Sequence, residues 1–531
     1  MIVDLNDHEN GHVFRADLVI IGAGAAGITI AREFFETGTS VLMLEGGGER
    51  WEPETQDLYI SEIAGISHKG IHSGRARIFG GTTTLWAGQT LPLDEMDFQE
   101  RPWVSDSGWP LKRADLEPYY RRAEGALQVK TIDYQAGNWP FKNIPLPEYD
   151  PTKLRRLVSQ FSAKPDFGAA YRASLKASRN ITVVLHANVV RLSANGDASR
   201  IEGAEVRSLK GRVGSVKGRY YVVACGGIET ARLLLVSDDV QQNGLGNAHD
   251  LVGRYFQDHV QSLAARVSLR DRAHTMATFQ PFRWRGTTYN AKFALSERVQ
   301  KECRTLNVTL GVTPAEGLSP DSPVEAAKRL VRGAIRGGFT NPLSQDLRKA
   351  LRGPGQILAA ASRRFILQKP AFQMTGDTFA TIQCECEPTA TSRVSLSCQR
   401  DALGVRRTKL DWRLTPLVRH TVIVGIETLA QELKRLDIGD VDLDSFALRR
   451  MDRGWEECLF DTNHHIGTTR MSVTPAKGVV NRDCGLHTTE NLFISSSSVF
   501  PTGGHSNPTF TILALGIRLA DHLKGLLARA A

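Results

Sequence analysis

Three histidines and one asparagine near the C-terminus are the residues of this 531-residue chain best suited to proton chemistry. His464 and His465 stand together in HHIGTTRM, and His505 and Asn507 stand in SSVFPTGGHSNPTFTILAL. An imidazole titrates near neutral pH, so a neutral histidine within hydrogen-bond reach of a hydroxyl can take its proton as a general base. Neighbours on an extended chain point in opposite directions, so only one of His464 and His465 can face a given reacting group. His505 shares its loop with Asn507 and can line the same pocket. Residue type alone leaves the base open among these three. Asn507 also has a purely structural reading: it precedes Pro508 and an amphipathic run over 508–523, and so reads as an N-cap with proline at the first helical position.

Such groups need a frame, and the stretch Ala16–Glu45, ADLVIIGAGAAGITIAREFFETGTSVLMLE, begins one. An apolar run (Leu18 to Ile21), a glycine turn (Gly22 to Gly27), a helix-like segment ending near Thr37 and a second apolar run (Val41 to Leu44) follow in order. The second run ends on Glu45. That order is the strand, turn, helix, strand unit of a Rossmann-like dinucleotide-binding fold. Gly22 permits the tight turn, Gly24 lets the backbone approach a pyrophosphate, and Gly27 lets helix and strand pack closely. The helix N-terminus at Ala25 and Ala26 offers N–H groups and a positive dipole end to phosphates. Glu45 is spaced to accept hydrogen bonds from a ribose hydroxyl.

A second glycine-rich stretch, GRARIFGGTTTLWAGQTL (Gly74 to Leu91), can wrap a flat cofactor with backbone and hydroxyl donors, although by itself it equally reads as a plain loop. The run Asp115 to Leu127 has helical spacing suited to packing, and Ile181 to Leu192 alternates as a strand. Tyr220 to Ala224 is an apolar strand meeting Gly226-Gly227 before a helix, Glu229 to Val236, and reads as the returning strand of a split nucleotide-binding sheet. Beyond it, Leu263 to Leu269, Phe379 to Cys384, Ser392 to Ser397 and Thr408 to Trp412 alternate with period two, as in an antiparallel sheet with one covered face. Pro416 to Leu436 returns to helical spacing, and Asn491 to Ser495 is a buried strand. The fold class is therefore α/β, α+β overall: a nucleotide-binding domain (12–100, 180–260, 455–531) interleaved with an antiparallel-sheet substrate domain (101–179, 261–454).

Composition narrows the field. The chain is 41% hydrophobic and 23% charged, with no apolar run near the roughly 20 residues that span a bilayer. The N-terminus lacks the basic-then-apolar order of a signal peptide, so a cytoplasmic location is expected. Seven scattered cysteines lack framework spacing and read as reduced thiols; Cys384-x-Cys386 is too tight for a zinc or redox pair, and no metal is expected. The net charge of +9 is concentrated: Glu325 to Lys369 holds ten cations against two acids, or +8. Val324 to Ile335 and Gln356 to Leu367 read as short helices within this insertion (324–369), which could cover the substrate site, contact an anionic membrane or partner, or edge a pocket for acidic substrates. No nucleic-acid reading motif accompanies the charge, so nucleic-acid binding is not expected.

The chain resembles the glucose-methanol-choline (GMC) oxidoreductases. The resemblance rests on GAGAAG with Glu45, RIFGGTTTLWAG, ACGGIETARLLL, and the C-terminal pair HHIGTTRM and SSVFPTGGHSNPTFTILAL, with VGRYFQDH and SRVSL also fitting. Within the family it is most similar to bacterial FAD-dependent sugar and polyol dehydrogenases, and more distantly to pyranose oxidases. The resemblance implies FAD, a choice the glycine turn alone cannot make, and a six-stranded antiparallel substrate domain. It places the catalytic pair on His464 and Asn507, with His465 and His505 as pocket candidates. Implied cofactor contacts are Gly22, Gly24, Ala25, Ala26, Gly27 and Glu45; Arg77, Gly80, Gly81, Thr82, Thr84, Trp86 and Ala87; and Val189, Ala224, Gly226, Ser497, Asn507, Pro508 and Thr509. Pyranose oxidases hold FAD covalently through a histidine just before the loop tryptophan; here Leu85 precedes Trp86, so the flavin is expected to be non-covalent.

The expected activity is oxidation of a CH–OH group of a sugar, glycoside or polyol, with His464 taking the hydroxyl proton, Asn507 holding the oxygen, and hydride passing to flavin N5. The alternatives are an oxygen-reducing oxidase of the same family and a non-catalytic flavoprotein whose basic segment binds a membrane or partner. No CxxCH haem motif is present, so an electron relay would lie on a partner protein.

Overall fold

In the computed structural model the strand His12–Ile21 runs into the first glycine turn, and its last four residues are buried. The structure describes residues 1–134, 148–314, 322–336, 342–365 and 377–529. His12–Ile21 pairs in parallel with Val41–Leu44 on one side and Val213–Val223 on the other, with Leu18 opposite both Val41 and Tyr220. The expected returning strand thus lies beside the glycine-turn strand. Eight strands form this sheet, in the order Ile2–Asp4, Ile181–Leu185, Val41–Leu44, His12–Ile21, Val213–Val223, Ile201–Arg207, Asn188–Ala194, with Leu492–Ile494 also parallel to Val213–Val223. Strands buried on both faces read as continuous apolar runs, which is why Leu18–Ile21 and Val41–Leu44 stand out in the sequence.

One expected strand is two. Ile181–Leu185 and Asn188–Ala194 are separated at His186, whose φ of 53° turns the chain, so the first half joins the parallel sheet and the second pairs antiparallel with Ile201–Arg207. Alternation over Ile181 to Leu192 records which residues face inward and is blind to such a break.

A second, antiparallel sheet runs Gly439–Asp442, Val260–Leu269, Thr378–Cys384, Val308–Pro314, Thr287–Leu295, Leu154–Phe161, Gln89–Thr90, with Phe282–Trp284 and Phe460–Asp461 added at its sides. Six of these nine strands are four residues or longer, and the other three are short additions. The helix Pro416–Arg435 packs on it. Two expected members lie elsewhere: Arg393–Arg400 and Arg406–Asp411 form a separate three-stranded sheet with Glu62–Ile63, packed against the helix Gly226–Val236. Period-two alternation identifies a strand with one covered face, not the sheet that covers it.

The basic insertion is helical, with Pro323–Arg336, Leu343–Leu351 and Pro354–Phe365 packed together. The sequence reading finds the first and third and misses the middle one; Ile366 to Lys369, which it assigned to the third helix and its flank, lie outside the described residues. The C-terminal helix Thr509–Arg529 packs against Ala25–Glu33 and Arg113–Leu127, which brings the 500s loop over the nucleotide-binding sheet.

Candidate active site

A cavity of about 960 Å³ runs from the first glycine turn to the C-terminal loop, lined by Gly22, Glu45, Trp86, His464 and Asn507 among others. At its nucleotide end Gly22 sits at φ +108°, and a Cβ there would lie 2.7 Å from the Ala224 carbonyl oxygen. Gly24 meets the second glycine loop: a Cβ on Gly81 would come within 2.8 Å of the Gly24 Cα. The two glycine loops therefore touch, and the helix Ala25–Glu33 begins beside them with no side-chain cap on its N–H groups. Uncapped N–H groups facing a large cavity suit a phosphate.

The Glu45 carboxylate is buried and braces the turn, accepting from the N–H of Ala23 and of Gly47, both at 3.0 Å. Burial raises its pKa, against those two hydrogen bonds. Arg75 and Arg77 lie over the Tyr59 ring at 4.0 and 4.5 Å and both reach Glu229, all four lining the cavity. Of these only Arg77 was singled out from sequence. Ala25, Ala26, Gly81, Thr82, Ala87, Val189, Ala224, Gly226, Ser497, Pro508 and Thr509 line the cavity as expected, and so does Leu85.

Three expected contacts do not line it. Gly27 packs helix on strand, since a Cβ would fall 2.0 Å from the Gly22 oxygen; Gly80 abuts the Gly168 backbone; the buried Thr84 hydroxyl donates to the Gly81 carbonyl at 2.9 Å. Each serves the turn rather than its contents.

At the far end the imidazoles are ordered by a chain of hydrogen bonds. His259 Nε2 lies 2.7 Å from the Gly504 carbonyl oxygen, which can only accept, so Nε2 carries the hydrogen. His259 Nδ1 is then a lone pair, and it lies 2.8 Å from His464 Nδ1, which must carry the hydrogen of that bond. Thr462 Oγ1, 2.9 Å from the same nitrogen, donates its own hydrogen to Asp258 and can accept a share. By elimination His464 Nε2 holds a lone pair, on a residue that lines the cavity. The His464 backbone N–H donates to Asp258 Oδ1 at 2.8 Å, and His68 Nε2 meets Asp258 Oδ2 at 3.0 Å.

Burial pushes His464 down to about 3, helped by His259 and Lys292 and opposed by Asp258. Burial likewise lowers His259. Burial alone would raise Asp258, but the hydrogen bond and charge of His68 outweigh it and hold the carboxyl well below the usual range. The arrangement is thus a neutral imidazole beside a fixed carboxylate. Lys292, half-buried on Thr287–Leu295, is itself brought down to about 8 by burial. His465 also lines the cavity, but its ring is buried against His68 and Phe256 and its Nε2 has no hydrogen-bond partner.

His505 is not a pocket residue. Its buried ring is held by Asp94, 3.2 Å from Nε2, and by Ser506 at 3.0 Å. Asn507 does line the cavity, but it does not act as the expected cap: Oδ1 accepts from Gln383 at 3.3 Å and Nδ2 donates to the Gln89 carbonyl at 3.4 Å. The helix starts one residue later, with the Pro508 carbonyl accepting from Ile512 N–H, so the Asn507 side chain is free to turn toward the second sheet. Behind the loop, Arg101 and Glu385 form a buried two-pronged pair at 2.8 and 2.7 Å, and Glu385 accepts from Gly504 N–H.

Sequence reasoning missed His259, Asp258, Thr462, Gln383, Gln89 and Lys292. The Asp258-His259 pair was visible within VGRYFQDH, but no spacing rule links it to a histidine 205 residues away.

A largely parallel nucleotide-type sheet, a second antiparallel sheet, and a cavity lined by a histidine and an asparagine define a two-sheet fold of the dinucleotide-binding type. Two GMC oxidoreductase family models match the chain, the N-terminal one over residues 162–261 and the C-terminal one over 388–516. The chain belongs to the GMC oxidoreductase family. It is 20% identical to the fructose dehydrogenase large subunit of Gluconobacter japonicus, covering 95% of this chain and 97% of that one. It is 24% identical to the 6'''-hydroxyparomomycin C oxidase of Streptomyces lividus, over 96% and 92%. A crystal structure of a formate oxidase shares the fold, with a TM-score of 0.57 at 19% identity, over 98% and 99%.

Proposed function

We propose that this protein is an FAD-dependent dehydrogenase that oxidises a CH–OH group of a sugar, glycoside or polyol. The observation that carries the reading is the fixed tautomer of His464, which leaves Nε2 as a proton acceptor in the cavity that Asn507 shares. The residues around the cavity fit FAD. Gly24, Gly81 and the uncapped helix N-terminus would hold the pyrophosphate, Glu45 the ribose, and the loop Gly81 to Ala87 and residues Ser497 to Thr509 the ring. When bound, FAD supplies the hydride acceptor that alcohol oxidation requires.

The chain's own residues do the rest. His464 Nε2 takes the hydroxyl proton as the C–H bond weakens. The imidazolium so formed is stabilised by ionised Asp258, reached through Thr462, and its Nδ1–H stays directed at His259. The remaining Asn507 amide hydrogen can donate to the substrate oxygen. The low pKa of His464 keeps the base unprotonated throughout the neutral range. Leu85 offers no atom for a covalent flavin link, so the cofactor is held non-covalently; acid precipitation should release the yellow colour to the supernatant, and colour kept in the pellet would refute this.

The named activities of two relatives, on fructose and on a hydroxylated aminoglycoside, support a polyhydroxylated donor. The test is an anaerobic screen of sugars, glycosides and polyols for bleaching of the flavin, with dye reduction and hydrogen peroxide measured side by side in air. Bleaching with dye reduction supports the dehydrogenase, peroxide at a matching rate makes it an oxidase, and bleaching by no alcohol would leave a non-catalytic flavoprotein.

A further inference from the structure

Among the described residues, exposed leucine is confined to two neighbouring helices. Among the described residues the exposed leucines are Leu343, Leu347, Leu351 and Leu358, at 50, 48, 70 and 71%, all on the helices Leu343–Leu351 and Pro354–Phe365. The first three are spaced by four and form one stripe along their helix. Val331, 59% exposed, adds to them from Pro323–Arg336, which packs against both other helices.

This is not an inner face turned the wrong way. The inner faces are filled: Ala326, Asp346, Ala350 and Ala360 are buried, and Asp346 takes a 2.7 Å hydrogen bond from Arg329 that ties the first helix to the second. The leucines are therefore left outside by a unit already packed. Exposed apolar clusters of this kind mark interaction sites. Arg348 and Arg352, also exposed, follow Leu347 and Leu351 directly in sequence, inside the segment that carries +8 of the chain's +9.

That combination selects an occupant. A second copy would bring two segments of +8 together across an apolar contact. An anionic lipid surface accepts both components, the leucines at the acyl boundary and the cations among the headgroups. No helix among the described residues is long and apolar enough to cross a membrane, so the contact is interfacial. We propose that helices 323–365 dock this protein on an anionic bilayer surface. Glu325, Arg329 and Gly333 of the first helix also line the main cavity, so docking brings one wall of that cavity to the lipid.

The test uses the full-length flavin-loaded protein, sedimented with vesicles of phosphatidylcholine alone or mixed with phosphatidylglycerol, at low and high salt. Wild type should pellet only with the anionic vesicles and only at low salt. R348Q/R352Q should bind roughly thirtyfold more weakly, at about fivefold per cation near an anionic surface. L347S/L351S should lose on the order of tenfold or more from lost apolar burial. All four positions are exposed, so flavin absorbance and thermal melting should be unchanged in both variants. Wild type left in the supernatant with anionic vesicles at low salt would overturn the proposal. So would equal binding by the variants, or lipid-free self-association that L347S/L351S abolishes, which would make the face a contact between copies.

Discussion

Replacing His259 with leucine removes the acceptor that holds His464 in one tautomer while leaving His464 itself in place. In the native chain His464 Nδ1–H donates to His259 and His259 Nε2–H donates to the Gly504 carbonyl, over 2.8 and 2.7 Å, and neither bond has an alternative of equal quality except the shared Thr462 hydroxyl. A buried hydrogen bond between neutral groups contributes about 0.5–1.5 kcal/mol, so the productive tautomer and ring angle should lose about two- to twelvefold in population. The rate of flavin reduction should fall by that factor, because each 1.4 kcal/mol is about tenfold. Besides burial, the charge of His259 depresses His464, so the variant should also move the acid limb of the rate profile up from its native position near 3. The sign is fixed: the basic form is lost as pH falls, and a higher pKa brings that loss closer to neutral. The assay is anaerobic stopped-flow reduction with a good donor across pH. His259→Asn should recover most of the rate, since its carbonyl can accept from His464 and its amide can donate to Gly504. His464→Ala serves as reference and should abolish reduction while retaining FAD. Native rates and an unmoved profile in H259L, with H464A inactive, would refute the tautomer argument and leave the base assignment standing.

Two glycines should fail in different ways. Gly24→Ala should fold normally, since its Cβ would meet only the Gly81 Cα at 3.9 Å, yet yield protein with weakened FAD binding; Gly22→Ala, at φ +108° and 2.7 Å from Ala224, should lower the melting temperature by an amount equivalent to about 2 kcal/mol or more. Retention of full flavin by G24A would argue against the pyrophosphate position. Arg101→Met should destabilise by about 3–5 kcal/mol in denaturant titration because it strands the buried Glu385 charge, and the pair R101M/E385L should recover part of that loss. Acid should unfold the chain partly through His464: with an ordinary value of 6.5 and a folded value of about 3, its contribution is complete above pH 6.5 and fades as pH falls toward 3, by at most about 5 kcal/mol. H464N should flatten that part of the pH–stability curve; an unchanged curve would show that other groups govern it.

The nucleotide half of the molecule was legible because its physics is local. A glycine needed for a tight turn and an apolar run buried on both faces leave marks within thirty residues, as Gly22 and Leu18–Ile21 do. The base was legible only down to three histidines, and the resemblance, not spacing, favoured His464. What separates the three is tertiary: His505 is taken by Asp94, Arg155 and Ser506, His465 is packed against His68, and His464 has its inner nitrogen held by His259, 205 residues away in sequence, while it lines the cavity. The N-cap reading of Asn507 failed for the same reason. Its local signal was sound, but Gln383 and Gln89 compete for the side chain and arrive from two strands far away in sequence.

Those two bonds have a mechanical meaning. Gln89 belongs to an edge strand of the antiparallel sheet and Gln383 to an inner one, so the Asn507 amide, itself at the cavity wall beside Gln89, is strung between two points of that sheet. A donor bulky enough to displace Gln89 from the cavity wall pulls the amide away from the oxygen it should hold. On the proposed reading, oversized substrates are then penalised in turnover more than in binding, and the enzyme measures the size of its substrate through the tension on one side chain.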